Sequence, residues 1–445
     1  PYRRQRQMCI RDSTLPVALG ILLEQSKRNM PYYLSMGCIG TAIVVLPAGM
    51  SRSAWIAVVV SCAWVYALYR LDRKQAATRL RQHKRWYIIG GILGGILLLG
   101  GSASLYTLKK DSADGRFLMW KITTKAIQKQ PITGTSLGGF PAAYAETQAE
   151  YMASGKATEQ EKLVAGCPEY AFNEYLQIGL EQGLVGLALF IGWLGLLFYK
   201  GIKNKRYACC GGLMSLAIFA FSSYPLQLPE FWVVLIFLGV MSVTPDKDEI
   251  RENQAESNGH RWGKQIFFMG IAILGIGLFW MQKDHYKAYQ QWNKAQMYYK
   301  NKAYEAALEV YEPLYPLLKH KPEFLFEVAQ CLSKTGRYEK ANGYLERAVL
   351  LSSDPMLYYV MAKNEQCLGE YRQAEKHLLH AIDILPERIY PYYLLMNLYT
   401  EPSYFQPAKL KMAIDSVLTK KPKVESSAIK EMKEKARSML NNTSI

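Results

Sequence analysis

A chain of 445 residues, half of them apolar, has material for two or three domains and a large buried surface. The net charge of +17 does not read as a nucleic-acid footprint, because Lys and Arg sit mostly in short loops between apolar runs and in the C-terminal helices, without interleaved aromatics. The eight cysteines show no CxxC or Cys/His spacing, which argues against a disulfide framework and a zinc site.

The opening "PYRRQRQMCIRDS" runs from basic residues into a polar stretch and lacks the apolar core of a signal peptide. Residues 1–13 read as an artefactual leader, and "TLPVALGILLE" as the stump of a helix whose neighbours are missing. Seven runs then have the length of a bilayer span: Tyr32–Met50, Ser53–Tyr69, Trp86–Leu108, Glu174–Tyr199, Ala208–Tyr224, Leu228–Val243 and Gln265–Met281. The loop Arg70–Arg85 carries seven Lys or Arg against one Asp, so it belongs in the cytoplasm. By alternation "SKRN" and "KGIKNKR" fall on the same side. The 49–53 turn, the long loop 109–173, the turn Tyr224–Leu228 and everything after Met281 fall outside. The expected organisation is spans over 14–108, a periplasmic loop over 109–173, spans over 174–281 and a soluble domain over 285–440.

Three stretches meet on the outer side. "AGMSRSAW" puts Arg52 in a tight turn. "DGRFLMWKITTKAIQKQPITGTSLGGF" puts Arg116 ahead of an amphipathic helix with Phe117, Trp120 and Thr124 on one face, suited to a membrane surface. After Pro131 it becomes Gly-rich, so that Gly134 and Gly138 could bring backbone N–H groups to an anion. "GCPEYAFNEYLQIGLEQGLVGLALF" places Asn173, Glu174 and Gln177 at the start of the fourth span, where Asn173 suits an N-cap. Glu181 lies deeper, and a carboxylate inside a span is a functional candidate. Arginine forks and a helix N-terminus suit phosphate, so a polyprenyl diphosphate carrying a glycan fits this surface.

Beyond residue 285 the chain repeats with a period of 33 to 34 residues, aligning Tyr304, Tyr338 and Tyr371, then Ala307, Ala341 and Ala374. Gly336 and Gly369 stand two before the tyrosine, and Pro322, Pro355 and Pro386 start each successive unit. This pattern resembles tetratricopeptide repeats, which stack into a solenoid with a concave surface for a peptide or protein partner. The expected fold class is therefore all-α: a polytopic transmembrane bundle followed by an α-solenoid.

The order "SRSAW", "GRFLMW", P-x-x-G-x-x-x-G-x-F and "FNEYLQIGLEQGLVGL" resembles the O-antigen ligase/polymerase family of bacterial envelope proteins over Val45 to Val243. The resemblance implies glycan transfer without metal or cofactor at the periplasmic face of the inner membrane. The donor would be a polyprenyl-diphosphate-linked glycan, and the acceptor lipid A core, another glycan or a protein. It implies Arg52 and Arg116 on the diphosphate. Family ligases carry a His just before the Asn of this motif, where this chain has Phe172. With that His absent, Glu174 or Glu169 is the candidate base, and Asn173 orients the acceptor. An O-antigen polymerase and a non-catalytic scaffold that recruits envelope partners through the repeats are the alternatives.

Overall fold

The computed structural model describes residues 14–25, 28–45, 52–72, 110–245, 261–422 and 425–442, and every regular element among them is helical. The expected leader, the span Trp86–Leu108 and most of the basic loop before it lie outside the described residues. The chain divides into two compact units. The first comprises Pro1–Arg116, Gln130–Gly134 and Tyr170–Gly259, the second Phe117–Lys129, Thr135–Glu169 and His260–Ile445.

In the first unit the apolar runs become helices. Among the described residues two, Ser53–Asp72 and Gly183–Lys203, are long and apolar enough to cross a membrane, and Thr14–Glu24, Met30–Val45, Tyr207–Ala220 and Pro229–Val243 are shorter apolar helices. Small residues let the backbones approach: Ala54 and Ala57 of Arg52–Asp72 pack with Leu213, Leu216 and Phe219 of Tyr207–Ala220 and with Phe231 and Leu238 of Pro229–Val243. The opposite faces carry large apolar side chains outward, Leu189 at 70% and Val233 at 69% exposure, as a lipid-facing surface would. The expected fourth span Glu174–Tyr199 is not one helix. It is a short helix, Glu174–Glu181, and a long apolar one, Gly183–Lys203, with a break at Gln182.

The second unit contains the repeats. Tyr304, Tyr338 and Tyr371 each open the second helix of a pair, and Ala307, Ala341 and Ala374 are fully buried where the helices cross. The turns repeat as well. The N–H groups of Ala303, Arg337 and Glu370 each bond the carbonyl five residues back, at 3.0, 2.9 and 2.8 Å. Each is preceded by a left-handed residue: Gly336 (φ 79) and Gly369 (φ 80) in two units, and Lys302 (φ 61) in the first. Pro322 is the first residue of its helix and Pro355 the cap of the next, whereas Pro386 sits in a turn and the helix after it begins at Ile389. A further pair, Ile389–Tyr399 and Pro407–Thr419, and a last helix, Ser427–Asn442, extend the stack.

Most of the long loop belongs to this same unit. Helix Phe140–Ala153 packs against Tyr371–Ile384 of the repeats. In helix Lys110–Lys129 the stripe Leu118, Ile122 and Ala126 is buried, while Phe117 on the other face is 60% exposed and meets Trp120 edge-on. A short helix, Glu159–Val164, is held by a capping box in which Thr158 and Glu161 satisfy each other's backbone N–H. Glu161 also accepts from Lys121 Nζ at 2.7 Å and from Tyr151 Oη at 2.9 Å.

Candidate functional site

Asn173 caps the short helix as the sequence predicts, its Oδ1 accepting from Leu176 N–H at 3.1 Å. One turn on, Gln177 bridges two neighbours: Oε1 accepts from Ala171 N–H at 3.1 Å and Nε2 donates to Glu181 at 3.2 Å. Asn173, Glu174, Gln177 and Glu181 are all buried. A single eight-residue helix therefore carries four buried polar groups, counting its cap.

The break after this helix explains the Gly-rich motif. Gly183 adopts φ +71, and Leu184 N–H bonds the Pro131 carbonyl at 2.8 Å. A Cβ on Gly134 (φ +69) would lie 2.5 Å from Gly183 N and 2.6 Å from Glu181 O, and a Cβ on Gly183 would fall on the Ile132 carbonyl. Only two glycines allow the turn 131–134 to dock on the break. Glu181 stands before that break, so it lies outside the apolar helix Gly183–Lys203 and not deep within it.

Glu174 is 1% exposed. Its two oxygens accept from Leu226 N–H at 2.6 Å and Gln227 Nε2 at 3.2 Å, which ties the short helix to the turn between Tyr207–Ala220 and Pro229–Val243. Burial pushes this carboxyl up to about 7, against the lowering by its bonds from Leu226 and Gln227.

Phe172, at the position the resemblance assigns to a His, has φ +50, an uncommon conformation for a bulky residue. Its ring meets Tyr224 edge-on at 4.9 Å, and the Arg116 guanidinium carbon stands 5.4 Å from the ring centroid. Arg116 Nη1 donates to the Ser222 carbonyl at 3.2 Å. Tyr170 stacks on the other side of the cluster, 5.0 Å from Tyr224. Arg116, Tyr170, Phe172, Glu174 and the 222–227 turn thus form one cluster with a guanidinium, three aromatic rings and a titratable carboxyl.

The remaining candidates lie elsewhere. Arg52 is the first residue of its helix. Gly134 belongs to the docking turn, and its N–H already bonds Gln130 O at 3.2 Å. Gly138 (φ +77) and Glu169 belong to the second unit. Gly138 has open space where a side chain would be. Glu169 is exposed at a cavity of about 650 Å³ lined also by Cys167, Phe326, Asp354, Tyr359 and Arg388. No group of three His, Cys, Asp or Glu side chains among the described residues could hold a metal.

Residues 37–191 match the family described as O-Antigen ligase. That stretch of the chain is similar to the O-antigen ligase family. The matched span contains every candidate site residue from Arg52 to Glu174. The ligase domain match stops before Ser222, Tyr224, Leu226 and Gln227, which complete the cluster and which sequence reasoning missed. The signal that could have found them is "SSYPLQ", a polar and aromatic turn between two apolar runs on the same expected side as Asn173. Residues 300–381 match the family described as Anaphase-promoting complex, cyclosome, subunit 3, in keeping with the tetratricopeptide-like repeats of the second unit. Among solved structures the chain is similar to the "MamA RS-1 ArsTM double mutant", at 20% identity over 36% of this chain and 97% of that one, TM-score 0.29. It is similar also to "MamA 41-end from Desulfovibrio magneticus RS-1", at 19% identity over 36% and 98%, TM-score 0.29. No curated protein matches the chain.

Proposed function

We propose that this protein is a multi-pass glycosyltransferase of the bacterial inner membrane, moving a glycan from a polyprenyl diphosphate carrier to an acceptor hydroxyl on the periplasmic face. The acceptor class is lipid A core, a second glycan or a protein. In the transfer the bond from the anomeric carbon to the diphosphate oxygen breaks, and the diphosphate leaves with the bonding electrons. The acceptor oxygen bonds the anomeric carbon, and its proton passes to a carboxylate.

The observation that carries this reading is the Arg116 guanidinium over Phe172, beside Asn173 and Glu174, within the segment that matches the ligase family. In this reading Arg116 and Arg52 neutralise the charge that grows on the leaving diphosphate. Glu174, with a carboxyl near 7, is suited to take a proton at neutral pH and stands in for the family His; Asn173 orients the acceptor. Glu169 is the second carboxylate candidate. Gly138, with open space about it, suits a backbone approach to the diphosphate better than Gly134, whose N–H is engaged. The outward orientation draws support from the second unit, in which loop residues 135–169 pack with the repeats, as they can only if both lie on one side.

Phe172 in the His position gives a second reading, an O-antigen polymerase, its basis. A strain lacking the native copy, complemented with wild type, Arg52→Ala or Arg116→Ala, separates the readings. Loss of long-chain glycan from lipid A with polyprenyl-linked polymer accumulating identifies a ligase. Collapse to single repeat units on lipid A identifies a polymerase, and lost protein glycosylation alone identifies a protein acceptor. If neither arginine change alters any surface glycan while deletion of 285–445 does, the protein is a scaffold acting through its repeats.

A further inference from the structure

The backbone of the first unit is strained at one point of the candidate site. Phe172 has φ +50, a conformation that a bulky residue keeps only where its surroundings impose it. Gln177 is placed to impose it, because it bonds the chain on both sides of Phe172. Its side-chain Oε1 accepts from the Ala171 N–H at 3.1 Å, and its backbone N–H donates to the Asn173 carbonyl at 3.0 Å. Ala171 is 0% exposed, so its N–H needs a partner from within the protein.

An amide has one accepting end and one donating end, and only the oxygen can serve an N–H. Glu181 fixes which end faces Ala171. One helical turn beyond Gln177, its Oε1 accepts from Gln177 Nε2 at 3.2 Å, which leaves the amide oxygen for Ala171. Gln177 and Glu181 are both buried, so removing either partner strands a polar group away from water. Ala171, Gln177 and Glu181 thus form a polar brace running from the strained turn to the last residue of helix Glu174–Glu181. The turn it holds carries Phe172, whose ring centroid lies 5.4 Å from the Arg116 guanidinium carbon, and leads directly into Asn173 and Glu174.

We infer that Gln177, oriented by Glu181, is a positioning residue that holds the Phe172 turn and with it the acceptor side of the site. This rests on the proposed transfer site. It gives the Glu181 carboxylate the part of a hydrogen-bond acceptor that sets the direction of an amide, and no part in the proton transfer. Arg116 keeps its own bond to the Ser222 carbonyl, so loss of the brace leaves a donor-binding group in place and disorders the acceptor side. Loss of Gln177 should lower kcat and leave KM for the donor nearly unchanged, because effective molarity depends on the aligned geometry of the acceptor and its base.

The test uses the full-length chain in detergent micelles with Gln177→Leu, Gln177→Glu, Glu181→Gln and the double variant Gln177→Glu/Glu181→Gln. Hydrogen exchange is followed over peptides covering 170–177. Transfer is measured from the polyprenyl-diphosphate-linked polymer, with an envelope extract of the deletion strain as acceptor. Gln177→Leu should exchange at least about tenfold faster in 170–177, with helices 207–220 and 229–243 as protected as in wild type. Its kcat should fall roughly tenfold or more, with KM for the donor within about twofold. Gln177→Glu should lose as much, because it sets two buried carboxylates against each other. Glu181→Gln, whose amide oxygen still accepts from Gln177, should lose less. The double variant restores one carboxylate and one amide in exchanged order, and the carboxylate then accepts from both the Ala171 N–H and the amide. It should recover most of the transfer and the protection that Gln177→Glu loses.

Unchanged exchange in 170–177 for Gln177→Leu, or faster exchange with full transfer, overturns the inference. A double variant no better than Gln177→Glu overturns it as well, since Glu181 would then act through its own charge and not through the amide. Protection lost evenly across 170–177, 207–220 and 229–243 also overturns it, because Gln177 would then serve only the stability of the unit. If the exchange changes and their recovery appear while wild type transfers no glycan to any acceptor, the brace stands and the transfer reading fails.

Discussion

The two units treat a carboxylate in opposite ways. Glu161, in the second unit, offsets its burial with a full set of partners: the Lys121 ammonium, the Tyr151 hydroxyl and the Thr158 N–H. These bonds outweigh desolvation and hold the carboxyl down at about 2, so it is a permanent anion that locks a loop to itself. Glu174, in the first unit, is more deeply buried, and its partners Leu226 N–H and Gln227 are uncharged. Desolvation wins there, and the group titrates near neutrality. A carboxylate satisfied by a cation stabilises one conformation, whereas one left with neutral donors in a buried cluster keeps a proton within reach of exchange.

The largest test of that contrast is substitution of each carboxylate. Glu174→Gln keeps the shape and the Leu226 bond but cannot accept a proton, and should lower glycan transfer by about 10²–10⁴-fold, the usual range for general acid–base catalysis. Glu161→Gln should leave transfer within a few-fold. Equal losses in the two variants, measured at matched protein levels, would erase the distinction. Next in size is the break that ends the Glu174 helix. Gly183→Val forces a β-branched residue into a left-handed conformation against Ile132, costing roughly 1–3 kcal/mol from the backbone alone. A thermal melt of the solubilised chain should fall accordingly, and an unchanged midpoint would mean that the break is not built on that glycine.

The pH dependence should carry opposite signs. Glu174 has its folded value raised from about 4.5 to about 7, so the stability it contributes is fully present below 4.5 and is lost as pH rises through 7. Glu161 has its value lowered, so its contribution is present above 4.5 and is lost as pH falls towards 2. Unfolding midpoints measured from pH 3 to 8 should therefore shift in opposite directions in Glu174→Gln and Glu161→Gln relative to wild type. Smallest is the repeat turn: Gly369→Ala should destabilise by about 1–2 kcal/mol because a Cβ disfavours the left-handed region. Lys302→Gly, relieving the same conformation in the first repeat, should raise the thermal midpoint.

The repeats were legible because the same physical problem recurs every 33 to 34 residues. A small residue at each crossing and a left-handed residue at each turn leave a periodic trace at Ala307, Ala341 and Ala374, and at Gly336 and Gly369. Lys302 escaped the pattern because conformation, and not glycine itself, is what the turn requires. The cap at Asn173 was legible because capping is local. The break at Gly183 was not, since an apolar run containing glycines reads as one span until the Pro131–Gly134 turn, 49 residues earlier than Gly183, is known to dock there. The partners of Glu174 escaped for the same reason, Leu226 and Gln227 lying 52 and 53 residues away with no spacing that couples them. The packing of the loop on the repeats rests on Gln148 and Ile384, 236 residues apart.

We propose Arg116 and the cluster beside it as the glycan-transfer site. The most direct test is the lipopolysaccharide ladder and total glycoprotein of a strain lacking the native copy, complemented with wild type or with Arg116→Ala at equal membrane levels. Wild type should restore the long-chain glycan and Arg116→Ala should not, with polyprenyl-linked glycan accumulating in its place. A full wild-type glycan profile from the Arg116→Ala strain would contradict the assignment.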